Sequence, residues 1–203
     1  ARDLFFGHKS ALDEHASQLA PGALLVRQRL HQLLFGQQLL LDQHLAEAIC
    51  DWPSRFTPLA ALNDGGMTLD ITGCAHLFGG EARLLADLDR RLDAFGLVAR
   101  LAIADTAGAA WAVARYGRED ASIVPSGKEA NALQGLPLAG LRLSSQTLSL
   151  LQRLGFRRIG QVMDEPRAPF AARFEELLLR LDQALGRAPE PFTPIAAPPV
   201  YRV

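Results

Sequence analysis

One stretch, residues 66–81, constrains the fold more than any other part of the chain. Apolar and polar side chains alternate over residues 67–72, which predicts a strand with one buried and one polar face. Glycines flank the run at residues 74–78 and permit tight turns at both of its ends. An amphipathic pattern then begins at Glu81. We therefore expect a strand, a turn and a helix in this order, with functional residues on the polar face of the strand.

Two sequence words in the chain resemble one known family. The first is LDITGCAHLFGGE at residues 69–81, and the second is AIADTAGAAWAVARYG at residues 102–117. Both are similar to the ImuB-type proteins, polymerase-like relatives of the Y-family translesion DNA polymerases in bacterial mutagenesis cassettes. The resemblance covers residues 45–192. It implies an α+β fold: a partial polymerase palm, in which helices pack on a sheet, followed by a small all-helical thumb with a helix–hairpin–helix-like element.

The chain divides into four predicted parts. Residues 1–44 are a helical or fingers-like segment of open role, 45–127 a palm-like α+β domain, 128–187 a helical thumb-like domain and 188–203 a proline-rich linker. The little-finger domain of the family would follow Val203, so the resemblance implies a fragment that lacks this domain. Periodicity and glycine or proline breaks predict strands at 59–62, 67–72, 97–104 and 122–124, and helices at 81–95, 106–116, 128–133, 145–154, 158–163 and 174–185.

The resemblance implies that the metal-binding acids of a polymerase are missing. Phosphoryl transfer by two metal ions needs carboxylates that hold both cations, and a Ser-x-Asp-Glu word before the Leu-Asp-x-Thr strand supplies two of them in the Y family. Alignment on residues 69–72 places Asn63 at the Ser, and it places Gly65 and Gly66 at the two acids. We therefore expect a palm without its carboxylates.

The resemblance also implies that the nucleotide clamp has been lost. Active polymerases of the family carry an Asn-Lys pair after the next strand, where this chain has Thr106 and Ala107. Asp70 is isolated on the polar face of its strand, and we interpret it as a structural hydrogen-bond acceptor. No metal or other cofactor is expected. The predicted degenerate active site comprises Asn63, Gly65, Gly66, Asp70, Thr106 and Ala107.

A basic stretch, residues 140–160, is the candidate DNA contact. It carries four arginines and no acidic residue in a chain whose net charge is −1, so any attraction to nucleic acid must be local. Residues 151–162 are similar to the second half of the Y-family helix–hairpin–helix, where helix N-termini and backbone amides meet phosphates. In the first hairpin, Arg142 replaces the second glycine of the family's Gly-x-Gly. The alternative is a solvated basic face. The predicted DNA-binding residues are Arg142, Arg153, Gly155, Arg157, Arg158 and Gly160.

Composition excludes several other classes of protein. Two cysteines are too few for a disulfide framework, and Cys74 and His76 have no second pair nearby to complete a zinc site. No Gly-x-Ser-x-Gly word marks a hydrolase nucleophile. The apolar runs fall short of the ~20 residues of a membrane span, and no signal peptide is recognised. We expect a cytoplasmic globular protein without membrane contact.

The expected function is that of a non-catalytic Y-family polymerase-like protein. It would bind damaged or primed DNA and act as an adaptor in error-prone translesion synthesis and SOS mutagenesis after DNA damage. The resemblance implies three protein partners: an error-prone replicative polymerase subunit, a recombinase-like accessory protein and the sliding clamp. The leucine-rich residues 24–41 are the candidate adaptor surface, although they could equally cover the palm.

Two other functions remain open at this point. The first is an active nucleotidyltransferase whose acids come from Asp3, Asp64 and Asp70, because residues 3–6 are similar to the second half of the family's first-strand Asp-x-Asp-x-Phe-Phe. Ala1 stands where the first of those two acids would be. The second is a protein-binding module without DNA contact.

Overall fold

The computed structural model describes residues 2–8, 56–57, 59–63, 66–94, 99–171 and 173–194, without the side chains of residues 6–8, 62 and 63. The strands are β1 (Asp3–His8), β2 (Ala60–Asn63), β3 (Gly66–Asp70), β4 (Ala99–Ala104) and β5 (Ala121–Ile123). The α-helices are α1 (Glu81–Ala94), α2 (Ala107–Tyr116), α3 (Glu129–Leu133), α4 (Ser145–Arg153), α5 (Ile159–Met163), α6 (Ala168–Ala171) and α7 (Glu175–Ala184). Two 3₁₀ turns cover Ala75–Phe78 and Leu138–Leu141.

The five strands form one mixed sheet in the order β2-β3-β1-β4-β5. The central strand β1 pairs antiparallel with β3 and with β4, whereas β5 lies parallel to β4. Asp3 lies opposite Asp70 on one side, and Gly7 lies opposite Gly66 and Arg100 at the other end of the strand. We call these the Asp3 end and the Gly66 end of the sheet.

The position of β1 differs from the sequence-based expectation. Residues 1–44 are predicted above to be a helical or fingers-like segment, but Asp3–His8 is the central strand of the sheet. Leu4 and Phe5 are both buried, one on each face of the sheet, so the strand lacks a clear alternation of apolar and polar residues. The leucine-rich residues 24–41 lie outside the described residues.

Helix α1 covers one face of the sheet. Its apolar stripe includes Leu84 and Leu88, which are completely buried against Leu4, Leu69 and other strand residues. This packing follows from the spacing of leucines along α1, because residues three or four apart share one side of a helix. The strand, turn and helix predicted for residues 66–81 are therefore present in the predicted order.

Helix α2 covers the opposite face and joins the sheet to the helical part of the chain. Thr106 caps its first turn, accepting a hydrogen bond from the amide of Ala109 at 3.1 Å. Its alanines at positions 109, 110, 112 and 114 are buried and allow close packing on both sides. One continuous cluster contains Phe5 of β1, α2 and apolar residues of the helical part, including Leu133, Leu138, Leu151, Ile159, Leu177 and Leu181.

The predicted α+β class is confirmed: a mixed sheet with packed helices precedes a helical region. The predicted hairpin of two strands near residues 59–72 is confirmed as well, since β2 and β3 pair antiparallel. No helix among the described residues has both the length and the apolar character required to cross a bilayer.

The packing of α1 predicts a large effect for Leu88→Ala. The substitution removes a completely buried side chain, so the free energy of unfolding should fall by about 2–5 kcal/mol. Leu77→Ala is the matched control, because Leu77 is 72% exposed, and it should change the free energy by about 0.5 kcal/mol or less. Urea unfolding of both variants makes the comparison, and equal losses would contradict the assigned core.

Candidate functional site

At the Gly66 end of the sheet, the chain carries glycine at a position where the family resemblance implies an acid. Gly66 begins β3 and lies opposite Gly7 of β1, while Asn63 pairs with Gly66 across the β2–β3 hairpin. On the other side of Gly7 lies Arg100, whose guanidinium donates to the carbonyl oxygens of the loop after α2. Gly65 lies outside the described residues. Neither of the two facing glycines supplies an acid to this end.

The other residues of the predicted degenerate site lie at the Asp3 end. Asp70 ends β3, and its Oδ1 accepts a hydrogen bond from the amide of Thr72 at 2.9 Å. Thr106 and Ala107 follow β4, where Thr106 donates its hydroxyl to the carbonyl oxygen of Ala184 at 2.8 Å. Four residues of strand separate Gly66 from Asp70, a distance of about 13 Å at ~3.3 Å per residue. The structure therefore does not bring the five described residues of this predicted site together.

Arg2 neutralises two acids at the Asp3 end. Its guanidinium forms a two-pronged ion pair with Glu81 at 2.7 and 2.6 Å, and it donates to Asp105 at 2.8 Å. The hydrogen bond to Glu81 raises the pKa of Arg2 further. Burial acts to raise the pKa of Asp105, but hydrogen bonds from Ser126, the amide of Gly127 and Arg2 together lower it. Both carboxylates are therefore engaged in structural contacts.

Asp3 and Asp70 lie side by side, but they make a poor pair of metal ligands. Burial, reinforced by repulsion from Asp70, raises the pKa of Asp3 to about 7, so the carboxyl is protonated about half of the time at neutral pH. Among the residues that the structure describes, no group of three acids, histidines or cysteines could hold a metal ion. Asp64, the third acid of the rival enzyme, lies outside the described residues.

Arg142 is predicted to contact DNA, but its side chain is turned into the protein. The guanidinium is 16% exposed, forms an ion pair with Glu190 and lies 5.7 Å above the ring of Trp111. Its φ of 55° makes it the one non-glycine residue with a positive φ in the described part of the chain. The backbone thus keeps a conformation that favours glycine, while the arginine side chain has become an internal contact.

The start of α5 is also occupied by internal contacts. The side chain of Gln161 accepts hydrogen bonds from the amides of Arg157 and Arg158 at 2.7 and 2.9 Å. The guanidinium of Arg158 donates to the carbonyl oxygen of Gly135 at 2.8 Å. A Cβ at Gly160 would lie 2.8 Å from the carbonyl oxygen of Gln134, so this glycine is needed for the packing of the hairpin. These contacts stabilise the helical region, although the Arg158 side chain is exposed.

Three of the predicted DNA-binding residues face solvent together. Arg153 ends α4, Gly155 forms the following turn with a φ of 94°, and Arg157 begins the segment before α5. The two arginine side chains are exposed and have no ion pair within the described chain. A Cβ at Gly155 would meet nothing within 4 Å, so the backbone of this turn is open to approach. We call Arg153, Gly155 and Arg157 the basic hairpin surface.

Sequence reasoning missed two residues that organise these contacts. Arg2 belongs to neither of the two family-like sequence motifs. The three groups that its guanidinium contacts, on Glu81, Asp105 and Val124, come from distant parts of the chain. Glu190 lies in the proline-rich residues 188–203 that are predicted to be a linker, yet it holds Arg142. The one sequence signal for this contact is that Glu190 is a charged residue among prolines, and this signal does not identify its partner.

The chain has well-matched relatives among curated proteins. It is 53% identical over 154 residues to Protein ImuB from two strains of Caulobacter vibrioides, NA1000 and ATCC 19089. The match covers 75% of this chain and 33% of each relative, so the chain spans about a third of the length of the curated relatives it matches. No protein-family model matches the chain.

The fold is similar to solved structures of Y-family DNA polymerases. DinB from Sulfolobus solfataricus superposes with a TM-score of 0.58 and 10% identity, over 95% of this chain and 69% of DinB. A chimeric Y-family DNA polymerase superposes with a TM-score of 0.56 and 14% identity, over 76% of this chain and 48% of the chimera. At such low identity, these likenesses show the fold alone. Together with the curated relatives, they confirm the predicted resemblance: the chain is an ImuB homologue with the fold of a Y-family polymerase palm and thumb.

Proposed function

We propose that this chain is part of a non-catalytic, polymerase-like protein that binds DNA and serves as an adaptor in translesion synthesis. Similarity to Protein ImuB and the Y-family fold support a role related to translesion synthesis and mutagenesis. The observation that carries the finer proposal is Gly66 at the start of β3, the position where alignment with the family expects an acid, which faces another glycine, Gly7, across the sheet.

The charges around the sheet support the absence of catalysis. Two-metal catalysis requires ionised carboxylates that converge on two cations about 3.5–4 Å apart. At the Asp3 end, Arg2 already binds Glu81 and Asp105, and Asp3 is partly protonated at neutral pH. At the Gly66 end, two facing glycines contribute no side chain. Within the part of the chain that the structure describes, neither end has the free, converging carboxylates that this chemistry needs.

The basic hairpin surface supports weak DNA binding without sequence preference. Arg153 and Arg157 flank an open glycine turn, so both guanidinium groups can reach phosphates without a change in the backbone. Phosphate contacts of this kind position a protein on DNA but do not read its sequence. Two such contacts correspond to a slope of about −2 in a plot of log affinity against log salt concentration on duplex DNA.

The family resemblance implies three protein partners for the proposed adaptor: an error-prone replicative polymerase subunit, a recombinase-like accessory protein and the sliding clamp. The chain spans about a third of its curated relatives, so these partners belong to the proposal for the whole protein. A protein-binding module without DNA contact is the second candidate. It is favoured by the exposed Leu150 and Leu154 on and after α4, which place apolar area beside the basic hairpin surface.

The proposal predicts that the purified chain does not extend a primed template. Incubation with magnesium and all four deoxynucleoside triphosphates should give no product above background, because the carboxylates that would hold the metals are missing. The double variant Gly65→Asp/Gly66→Glu should also be inactive, since Ala1 stands at the first-strand acid and Ala107 at the nucleotide-contacting lysine of the family. Robust extension by the unmodified chain would overturn the non-catalytic assignment.

The basic hairpin surface predicts a specific change in salt dependence. The double variant Arg153→Ala/Arg157→Ala should flatten the salt slope of duplex binding by about two, the number of phosphate contacts removed. Fluorescence anisotropy at several salt concentrations measures this slope.

The matched control for this measurement is Arg83→Ala/Arg90→Ala, which removes the same charge from exposed positions of α1. It should leave the slope within about 0.5 of the unmodified chain, because it removes no phosphate contact. If both double variants flatten the slope equally, the effect comes from net charge and not from the basic hairpin surface. Binding that both double variants leave unchanged would place the DNA contact elsewhere on the chain, and no DNA binding by the unmodified chain would favour the protein-binding module.

A further inference from the structure

A buried ion pair lies where α2, the turn at Leu138–Leu141 and the end of α7 meet. Arg142 and Glu190 are only 16% and 13% exposed, and Arg180 lies 3.8 Å from the same oxygen of Glu190. Glu190 belongs to the segment after α7, which is held by a hydrogen bond from Gln183 to the carbonyl oxygen of Pro189 at 3.2 Å. A single carboxylate oxygen therefore sits between two arginines.

The fit between Glu190 and its arginines is incomplete. The Nε of Arg142 and the Oε2 of Glu190 are both buried, and neither has a hydrogen-bond partner in the described part of the chain. An arginine fork normally offers two parallel donors to a carboxylate or a phosphate, and here one of them is unused. A buried donor and a buried acceptor without partners at one contact indicate an occupant that does not fully match the site.

Arg142 has supports that do not depend on Glu190. Its guanidinium stacks on Trp111, and it lies against Gly108, where a Cβ would come within 3.3 Å of its Nη2. The left-handed backbone conformation at Arg142 is also compatible with this inward direction of its side chain. The cation therefore stays in place if Glu190 leaves.

We propose that Arg142 and Arg180 form a binding site for a phosphate group, and that Glu190 fills this site as a tethered anion that phosphate displaces. A phosphate has more acceptor oxygens than a carboxylate, so it can accept from Nε and Nη2 of Arg142 and from Arg180 together. Displacement would release the segment at residues 188–194 from the end of α7. The inference goes beyond the proposed function, because it needs neither the basic hairpin surface nor the absence of catalysis.

The first experiment measures binding of inorganic phosphate to the full chain by the fluorescence of Trp111. Trp52→Phe removes the other tryptophan. The titration is done at pH 6.0, where Asp3 is mostly protonated and repels an incoming anion little. In this background, Glu190→Gln should bind phosphate at least about tenfold more tightly than the parent, because the competing carboxylate is gone.

Two further variants test whether the effect belongs to this site. Asp182→Asn is the matched control, since it removes a carboxylate from another ion pair, with Arg167, and should leave phosphate affinity unchanged. Arg142→Gln added to Glu190→Gln should abolish the gain. Equal affinities for Glu190→Gln and Asp182→Asn would overturn the proposal and leave the pair as a structural contact.

A measurement on the unmodified chain keeps the inference testable if the variants fold poorly. Phosphate should speed hydrogen exchange at the amides of residues 187, 188 and 190, whereas sodium chloride of equal ionic strength should not. No difference between the two salts would overturn the proposal. A 5′-phosphorylated oligonucleotide that acts more strongly than its unphosphorylated form would assign the site to terminal phosphates, and equal action would assign it to backbone phosphates. If neither oligonucleotide changes hydrogen exchange at these amides, a nucleic-acid source is contradicted and free phosphate compounds remain as the ligand.

Discussion

The antiparallel pairing of β1 with both β3 and β4 determines where every other described element lies. A strand with two neighbours has all of its backbone groups in ladder hydrogen bonds, and its side chains must then alternate between two covered faces. Leu4 is thereby directed to α1 and Phe5 to α2. The same pairing aligns Asp3 with Asp70 and Gly7 with Gly66, so it also decides which polar groups can meet.

Local patterns predicted the elements that depend on local physics. The strand and helix of residues 66–94 follow from alternation, glycine turns and leucine spacing, and the structure contains both. The central position of β1 could not be predicted in this way, because it is set by partners at least 59 residues away in sequence. The separation of Gly66 from Thr106 was missed for the same reason, since alignment along a chain does not show at which end of a sheet a residue lies.

The arginines show a similar limit for the candidate site. Counting charges over residues 140–160 predicted four cations for DNA, but the structure divides them between two roles. Arg142 and Arg158 bind groups of the chain itself, and Arg153 and Arg157 remain exposed. Side-chain direction depends on tertiary contacts that a charge count does not include. Glycines divide likewise: Gly155 is open to solvent, whereas Gly160 permits close packing on Gln134.

Helix α2 shares one apolar cluster with the sheet and with the helices that follow it. This helix is buried both against the sheet and against the helices that follow it. Unfolding of either part would expose apolar area of the other, so the two parts are energetically coupled. Small domains coupled in this way melt as a single cooperative unit. The scaffold therefore owes most of its stability to apolar packing, and side chains at the Gly66 end could change during evolution without unfolding the protein.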